Sequence, residues 1–183
     1  MTTTYAALLR GINVSGHRKV PMAELRSLLE ELGHRDVRTY LQSGNAVFTT
    51  DADDTDDTLA AAVEKALEQH FGFRVDTLVR SAAYLAEVAD ACPFPAAELE
   101  AKQLHVTYFS EALGAEHFAS IDQAAFLPEE FRLGDRVLYL YAPDGLGRSK
   151  LAEAVSRPSL LKGVVATSRN WNTVTKLVEM TRD

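Results

Sequence analysis

Cysteine is nearly absent: Cys92 is the only one among 183 residues. A lone thiol cannot close an internal disulfide, which excludes a stapled secreted scaffold and fits a reducing, cytoplasmic setting. No uninterrupted apolar run approaches the roughly 18 residues that a membrane-spanning helix needs. The opening MTTTYAALLRGIN has no basic lead and no cleavage-like site, which argues against a secretory signal. The histidines, at 17, 34, 70, 105 and 117, show no zinc spacing and have no cysteine partners, so no metal and no cofactor are expected. The run DADDTDDTLAAA (51–62) lacks the glycine and the final glutamate of a calcium loop. Its aspartates read as helix-initiating residues instead, with Asp56 or Asp57 as the cap.

Basic charge is also in deficit, with 19 Lys and Arg against 26 Asp and Glu, a net charge of −7. That balance argues against a nucleic-acid partner, whose phosphates demand many cationic contacts. An RNA-recognition sheet would also need more aromatics than Tyr5 and Phe48 on its central strands. The charge is unevenly spread. Residues 1–50 carry +2, the Asp-rich run 51–57 carries −5, residues 58–144 carry −8, and residues 145–183 carry +4. Two basic ends on an acidic body point to local anion sites.

What is present is an ordinary globular composition, 46% hydrophobic and 25% charged, arranged in periodic runs. Tyr5–Leu9, Val37–Leu41, Ala46–Thr50 and Val75–Val79 read as strands. Met22, Leu25, Leu28, Leu29 and Leu32 fall at helical spacing between Pro21 and Gly33. Leu59, Val63, Ala66, Leu67 and Phe71 mark a second helix closed by Gly72. Residues 4–80 therefore follow a βαββαβ order, the ferredoxin-like plan. A bridge follows, with Ser81 capping a short helix that Pro93-Phe94-Pro95 stops. The order then repeats: a strand at 104–109, a helix over 111–125, strands at 131–133 and 137–141 about a Gly134-Asp135 turn, a helix at 149–155, a strand at 164–167 and a last helical face on Trp171, Val174, Leu177 and Val178. The expected fold class is α+β: two tandem ferredoxin-like units with antiparallel sheets and an extra C-terminal helix. The expected division is a first unit at 1–80, a helical bridge at 81–101, and a second unit with its extra helix at 102–183. A single larger α+β sheet is the rival arrangement.

In a βαββαβ unit the loop after the first strand and the hairpin between the second and third leave the sheet at one end. In the first unit that gathers Arg10, Gly11, Asn13, Gly16, Arg18 and Lys19 with Gln42, Ser43, Gly44 and Asn45. In the second unit the segments after the third and fourth strands share an end, gathering Arg148 and Lys150 with Arg169, Asn170 and Asn172. Glycines allow close backbone approach to oxygen atoms, and arginine grips phosphate or carboxylate two-pronged. These residues are the candidate ligand-binding set. GINVSGHRK (11–19) has GxxxxG spacing but no GK[ST], so a Walker-type nucleotide loop is not expected. Cys92 has no activating neighbour in sequence and reads as an inert thiol, and Trp171 reads as packing.

Three separated motifs, LLRGINVSG (8–16), VRTYLQSGNAVF (37–48) and ATSRNWNTVTKL (166–177), resemble the bacterial domain-of-unknown-function family 1697. The resemblance implies a cytosolic α+β protein built on ferredoxin-like units and assigns no activity. That family usually has Gly where Ser15 stands and Thr where Ser168 stands. In layout the first unit is also similar to the acylphosphatases, which would cast the Gly11–Gly16 loop and Arg18 as phosphate binders and Asn45 as the residue that orients a water. The leading functional reading is the binding of a small phosphate- or carboxylate-bearing ligand. A metal-independent hydrolase of phosphate esters or anhydrides and a non-catalytic protein-interaction module are the alternatives. Nothing in the residues selects between binding and catalysis, and the oligomeric state is left open.

Overall fold

A computed structural model describes residues 2–14, 16–41 and 44–182. The chain divides into two compact units, Met1–Leu85 with Leu177–Asp183, and Ala86–Lys176. It carries two separate four-stranded sheets rather than one large one, with every neighbouring pair of strands antiparallel.

The first unit runs β1 (Thr3–Leu9), α1 (Met22–Glu31), β2 (Arg35–Tyr40), β3 (Asn45–Thr50), α2 (Asp56–Phe71) and β4 (Thr77–Ser81), in sheet order β2-β3-β1-β4. Alternation along the strands places Tyr5, Ala7, Leu9, Ala46, Phe48 and Val79 in one core with Leu25, Leu28 and Leu29 of α1 and Leu59, Val63 and Leu67 of α2. The helical residues recur at i, i+3, i+4, which lines one stripe of each helix with apolar groups. Gly33, at φ +94°, ends α1. Its N–H donates to the Glu30 carbonyl and that of His34 to the Leu29 carbonyl, the paired closure of a Schellman motif. At α2 the cap is Thr55, whose hydroxyl accepts from the Thr58 N–H at 3.1 Å. Asp56 and Asp57, expected as the cap, lie inside the first turn, where their charge complements the helix dipole. β4 starts two residues later than the apolar alternation indicates, because Val75 packs in the core ahead of the strand.

In the second unit, α3 (Ala82–Asp90) leads to β5 (Leu104–Phe109), β6 (Glu130–Gly134), β7 (Val137–Tyr141), α4 (Lys150–Val155), β8 (Ala166–Asn170) and α5 (Trp171–Thr181), in sheet order β6-β7-β5-β8. Both α3 and α5 straddle the division between the units. Ser81 accepts from the Tyr84 N–H at the start of α3, as its position before the helix implies. The helix expected over 111–125 is replaced by two short 3-10 turns, Ala115–Phe118 and Gln123–Phe126. Asp122 accepts from the Ala124 N–H and restarts the chain between them, and Phe118 is the residue they bury. Phe118 stands 5.5 Å from Phe131 and 6.3 Å from Phe109, ring to ring, in a core completed by Leu138, Leu140, Leu151 and Val155. The last strand spans 166–170 rather than 164–167, which moves Ser168, Arg169 and Asn170 from a loop into the sheet.

One contact locks the first unit. The Leu9 N–H donates to the Gly44 carbonyl at 2.8 Å, joining the exit of β1 to the hairpin before β3. Gly44 sits at φ +93°, and a Cβ there would lie 2.8 Å from the Leu9 Cβ and 3.0 Å from the Ile12 Cδ1. Gly44→Ala is therefore expected to cost about 2–4 kcal/mol, backbone strain plus overpacking. Gly11→Ala, at φ +66° with open space around it, meets only the strain, about 1 kcal/mol. Chemical denaturation of the two variants measures the difference; equal destabilisation would contradict it.

Candidate functional site

The expected gathering at the end of the first sheet is realised through backbone hydrogen bonds. The loop after β1 is strapped on one side by the Leu9–Gly44 bond and on the other by the Arg10 N–H, which donates to the Asp76 carbonyl at 2.9 Å. The loop folds back on itself: the Asn13 N–H donates to the Arg18 carbonyl at 3.0 Å and the His17 N–H to the Val14 carbonyl at 2.9 Å. Asn13, at φ +53°, then clamps Val20 from both sides. Its Oδ1 accepts from the Val20 N–H at 2.8 Å and its Nδ2 donates to the Val20 carbonyl at 3.0 Å. Val20 is fully buried, so this clamp anchors the loop to the core.

The candidate residues of this end separate into two groups. Asn13 and Asn45 hold the scaffold: Asn45 is fully buried, with Nδ2 donating to the Tyr40 carbonyl at 2.9 Å to close the hairpin. A side chain so placed is poorly suited to orienting a water. Arg10, Gly11, Gly16, Arg18 and Lys19 are exposed. The Arg18 guanidinium donates to the Arg74 carbonyl and lies 5.3 Å above the Phe73 ring. Gln42 and Ser43 lie outside the described residues, as does Ser15.

A cavity of about 320 Å³ opens at the start of α1, lined by Asn13, Gly16, Lys19, Val20 and Pro21. Pro21 occupies the N-cap position, and no side chain among the described residues caps this helix. Proline pre-sets the backbone for the first turn but has no side-chain oxygen to cap it. Its carbonyl accepts from the Glu24 N–H at 3.1 Å and the Leu25 N–H at 3.0 Å, so the N–H groups left to a ligand are those of Met22 and Ala23. The cavity wall thus combines the positive end of a helix, a lysine and a glycine. Arg74, absent from the sequence-based set, belongs to the same end. Its Nε lies 3.5 Å from Asp76, and the Arg10 Nη1 lies 3.9 Å from the same carboxylate. Asp76 is thus shared by two arginines, and the Glu64 carboxylate accepts from the N–H of the neighbouring Thr77 at 3.0 Å. The signal that could have found Arg74 is the antiparallel pairing of β1 with β4, which returns the lead-in of β4 to the exit of β1.

The second gathering is only partly solvent-facing. Tyr141 and Asn170 pair with the first residues of β5, so the segments after β7 and β8 do share an end. Arg148, Lys150 and Asn172 are exposed. The start of α4 is already capped by Ser149, which accepts from the Ala152 N–H at 2.9 Å, and the start of α5 by Asn170, which accepts from the Thr173 N–H at 3.0 Å. Arg169 is 8% exposed, on β8 rather than on a loop. It donates to the Thr167 hydroxyl at 2.6 Å and the Ser168 carbonyl at 3.0 Å. Burial lowers its pKa to about 10, opposed by the neighbouring Tyr108, so the guanidinium stays charged at neutral pH.

Cys92 is half-buried with Sγ 3.7 Å from the Phe94 carbonyl oxygen, and burial pushes its pKa up, which keeps it a thiol at neutral pH. His34 and His105 are buried and pushed below the usual histidine value by desolvation. Among the described residues no group of three or more His, Cys, Asp or Glu side chains is placed to hold a metal ion, and no helix is long and apolar enough to cross a membrane.

Together these features define a mixed α/β protein with two four-stranded antiparallel sheets and a polar, basic loop end on the first. The chain belongs to the protein family of unknown function DUF1697, whose sequence model matches residues 1–139. That match contains the first two motifs, and the third lies beyond it. No curated protein matches the chain. Among solved structures it is similar to the conserved bacterial protein SP0830 from Streptococcus pneumoniae, with 24% identity, 99% of each chain covered and a TM-score of 0.76. At that identity the likeness shows the fold.

The burial of Arg169 sets its expected mutant behaviour. Arg169→Ala removes packing and leaves buried acceptors without a donor, an expected cost of about 2–4 kcal/mol. Arg148→Ala, at an exposed position, should stay within about 0.5 kcal/mol of the parent. Urea denaturation distinguishes them; similar stability of the two variants would contradict the placement of Arg169.

Proposed function

We propose that this protein binds a small phosphate- or carboxylate-bearing ligand in the cavity at the start of α1. The observation that carries the reading is the combination in one wall of a helix N-terminus without a side-chain cap, Lys19 and the backbone of Gly16. A helix N-terminus attracts an anion through free N–H groups and the helix dipole, and Lys19 supplies a full charge beside it. Arg10, Arg18 and Arg74 extend the positive field around the loop end, against Asp76 and against Glu24 in the first turn of α1, whose carboxylate lies 2.9 Å from His70 Nε2. The second loop end is a weaker candidate, since its helix starts are occupied by Ser149 and Asn170 and its arginine on β8 is buried.

The same reading takes the chain as two ferredoxin-like units in tandem, supported by the equivalent strand orders β2-β3-β1-β4 and β6-β7-β5-β8. It takes the setting as cytoplasmic, supported by the single thiol. Hydrolysis has less support than binding, because the asparagine it would use is committed to the Tyr40 carbonyl.

The test is ligand-induced thermal stabilisation by inorganic phosphate, pyrophosphate and citrate, with sodium chloride at matched ionic strength as the reference. A site-bound ligand at one hundred times its Kd stabilises by about 2.7 kcal/mol. The parent and Arg148→Ala are expected to respond to at least one anion, and Lys19→Ala to lose most of that response. An equal response in all three proteins, or none beyond chloride, would overturn the reading.

A further inference from the structure

A second cavity, of about 290 Å³, lies at the opposite end of α1 in the first unit. Its wall includes His34, Arg35, Thr50, Asp51, Asp54 and Thr58. We propose that this cavity is a binding site for a small organic cation bearing N–H donors, an ammonium or guanidinium group. The proposal is independent of the anion site.

His34 is the first argument. It is 7% exposed, and neither ring nitrogen has a hydrogen-bond partner among the described residues. Its ring stacks on Phe48 with centroids 4.2 Å apart. At this position, just past the Schellman closure of α1, an apolar side chain is the usual choice, and phenylalanine would supply the same stack. Histidine brings two polar nitrogens into the core and with them a desolvation penalty that phenylalanine would avoid. A donor in the adjoining cavity would offset the part of it that falls on the accepting nitrogen.

The sign of the charge is the second argument. Arg35 is already paired with Asp51 at 2.8 Å. Asp54 forms no hydrogen bond or ion pair among the described residues, so the wall carries an unspent negative charge. Burial raises the pKa of Tyr5 first of all, and the charges of Asp56, Asp53 and Asp54 add to the same direction. Leu32 and Gly33 place the C-terminal end of α1 at the cavity, and the last turn of that helix holds no basic residue. A helix C-terminus is negative and favours cations. The start of α2 does not offset this, because Thr55 caps it and Asp56 and Asp57 occupy its first turn. Burial keeps the His34 imidazole neutral, which leaves one ring nitrogen as an acceptor. The neutral imidazole accepts at one ring nitrogen and donates at the other, and the Asp54 carboxylate accepts only; a cation that donates fits the two acceptors.

The experiment follows the imidazole nitrogens of His34 by long-range ¹H–¹⁵N NMR while the whole chain is titrated with putrescine, agmatine or ethanolamine. Tetramethylammonium, a cation without N–H groups, is the control. At least one amine should move the His34 ring signals and raise Tm, and tetramethylammonium should do neither. Asp54→Asn, at an exposed position, should weaken that amine by about tenfold or more, the scale of a charge-assisted hydrogen bond. His34→Phe should keep the fold, gain stability without amine and lose the response. Ring signals that report only bound water and ignore every amine would overturn the proposal. So would Asp54→Asn and His34→Phe proteins that respond like the parent.

Discussion

The insertion of β3 between β1 and β2 is the constraint on which the first unit depends. Both pairings are antiparallel, so β1 and β2 run parallel and the chain must cross the sheet between them. α1 makes that crossing. Its ten residues span about 15 Å, enough to carry its start to the end where β1 exits and its close to the end where β2 begins. The helix dipole is thereby laid along the sheet, with a basic loop at its positive end and an acidic turn at its negative end. Each end has its cavity. The Leu9–Gly44 hydrogen bond fixes the register of this arrangement, and only a residue free to take a positive φ without a side chain fits there.

The fourth strands of the two sheets show the same device in different sequences. Arg80 pairs with Ala6 on β4, and Arg169 pairs with Val106 on β8. Each is buried and donates from Nη1 to the carbonyl of the residue before it. The next residue in each case caps the following helix, Ser81 for α3 and Asn170 for α5. The bridge helix and the C-terminal helix are both launched from a strand whose next-to-last residue is a buried arginine. A charged group in that position is costly unless hydrogen-bonded, and the carbonyl of the preceding residue supplies each arginine with one such partner.

Much of this was legible in the residues. The apolar periodicity of 22–32 and 59–71 and the turn chemistry around Gly44 place the elements of the first unit to within a residue or two, and topology alone brings the β1 loop and the hairpin together. The second unit was harder to read. Residues 111–125 have the length and apolar content of a helix, but Gly114 and Asp122 divide them into two turns. Ser168-Arg169-Asn170 is polar enough to read as a loop, yet its backbone completes the β5–β8 ladder. At the candidate site, residue type located the loop but not the division of labour. Asn13 and Asn45 look like ligand groups in sequence and serve as backbone clamps in space, while Arg74 stands 56 residues from the Arg18 it supports. His34 was invisible for the opposite reason: no periodicity distinguishes a histidine stacked in the core from one in solvent.

The most direct test of the anion site is a backbone ¹H–¹⁵N NMR titration with inorganic phosphate at constant ionic strength. A saturable shift centred on the amides of Gly16, Lys19 and the first turn of α1 is the predicted result. Shifts that never saturate, or that centre on Arg148 and Lys150 instead, would contradict the account.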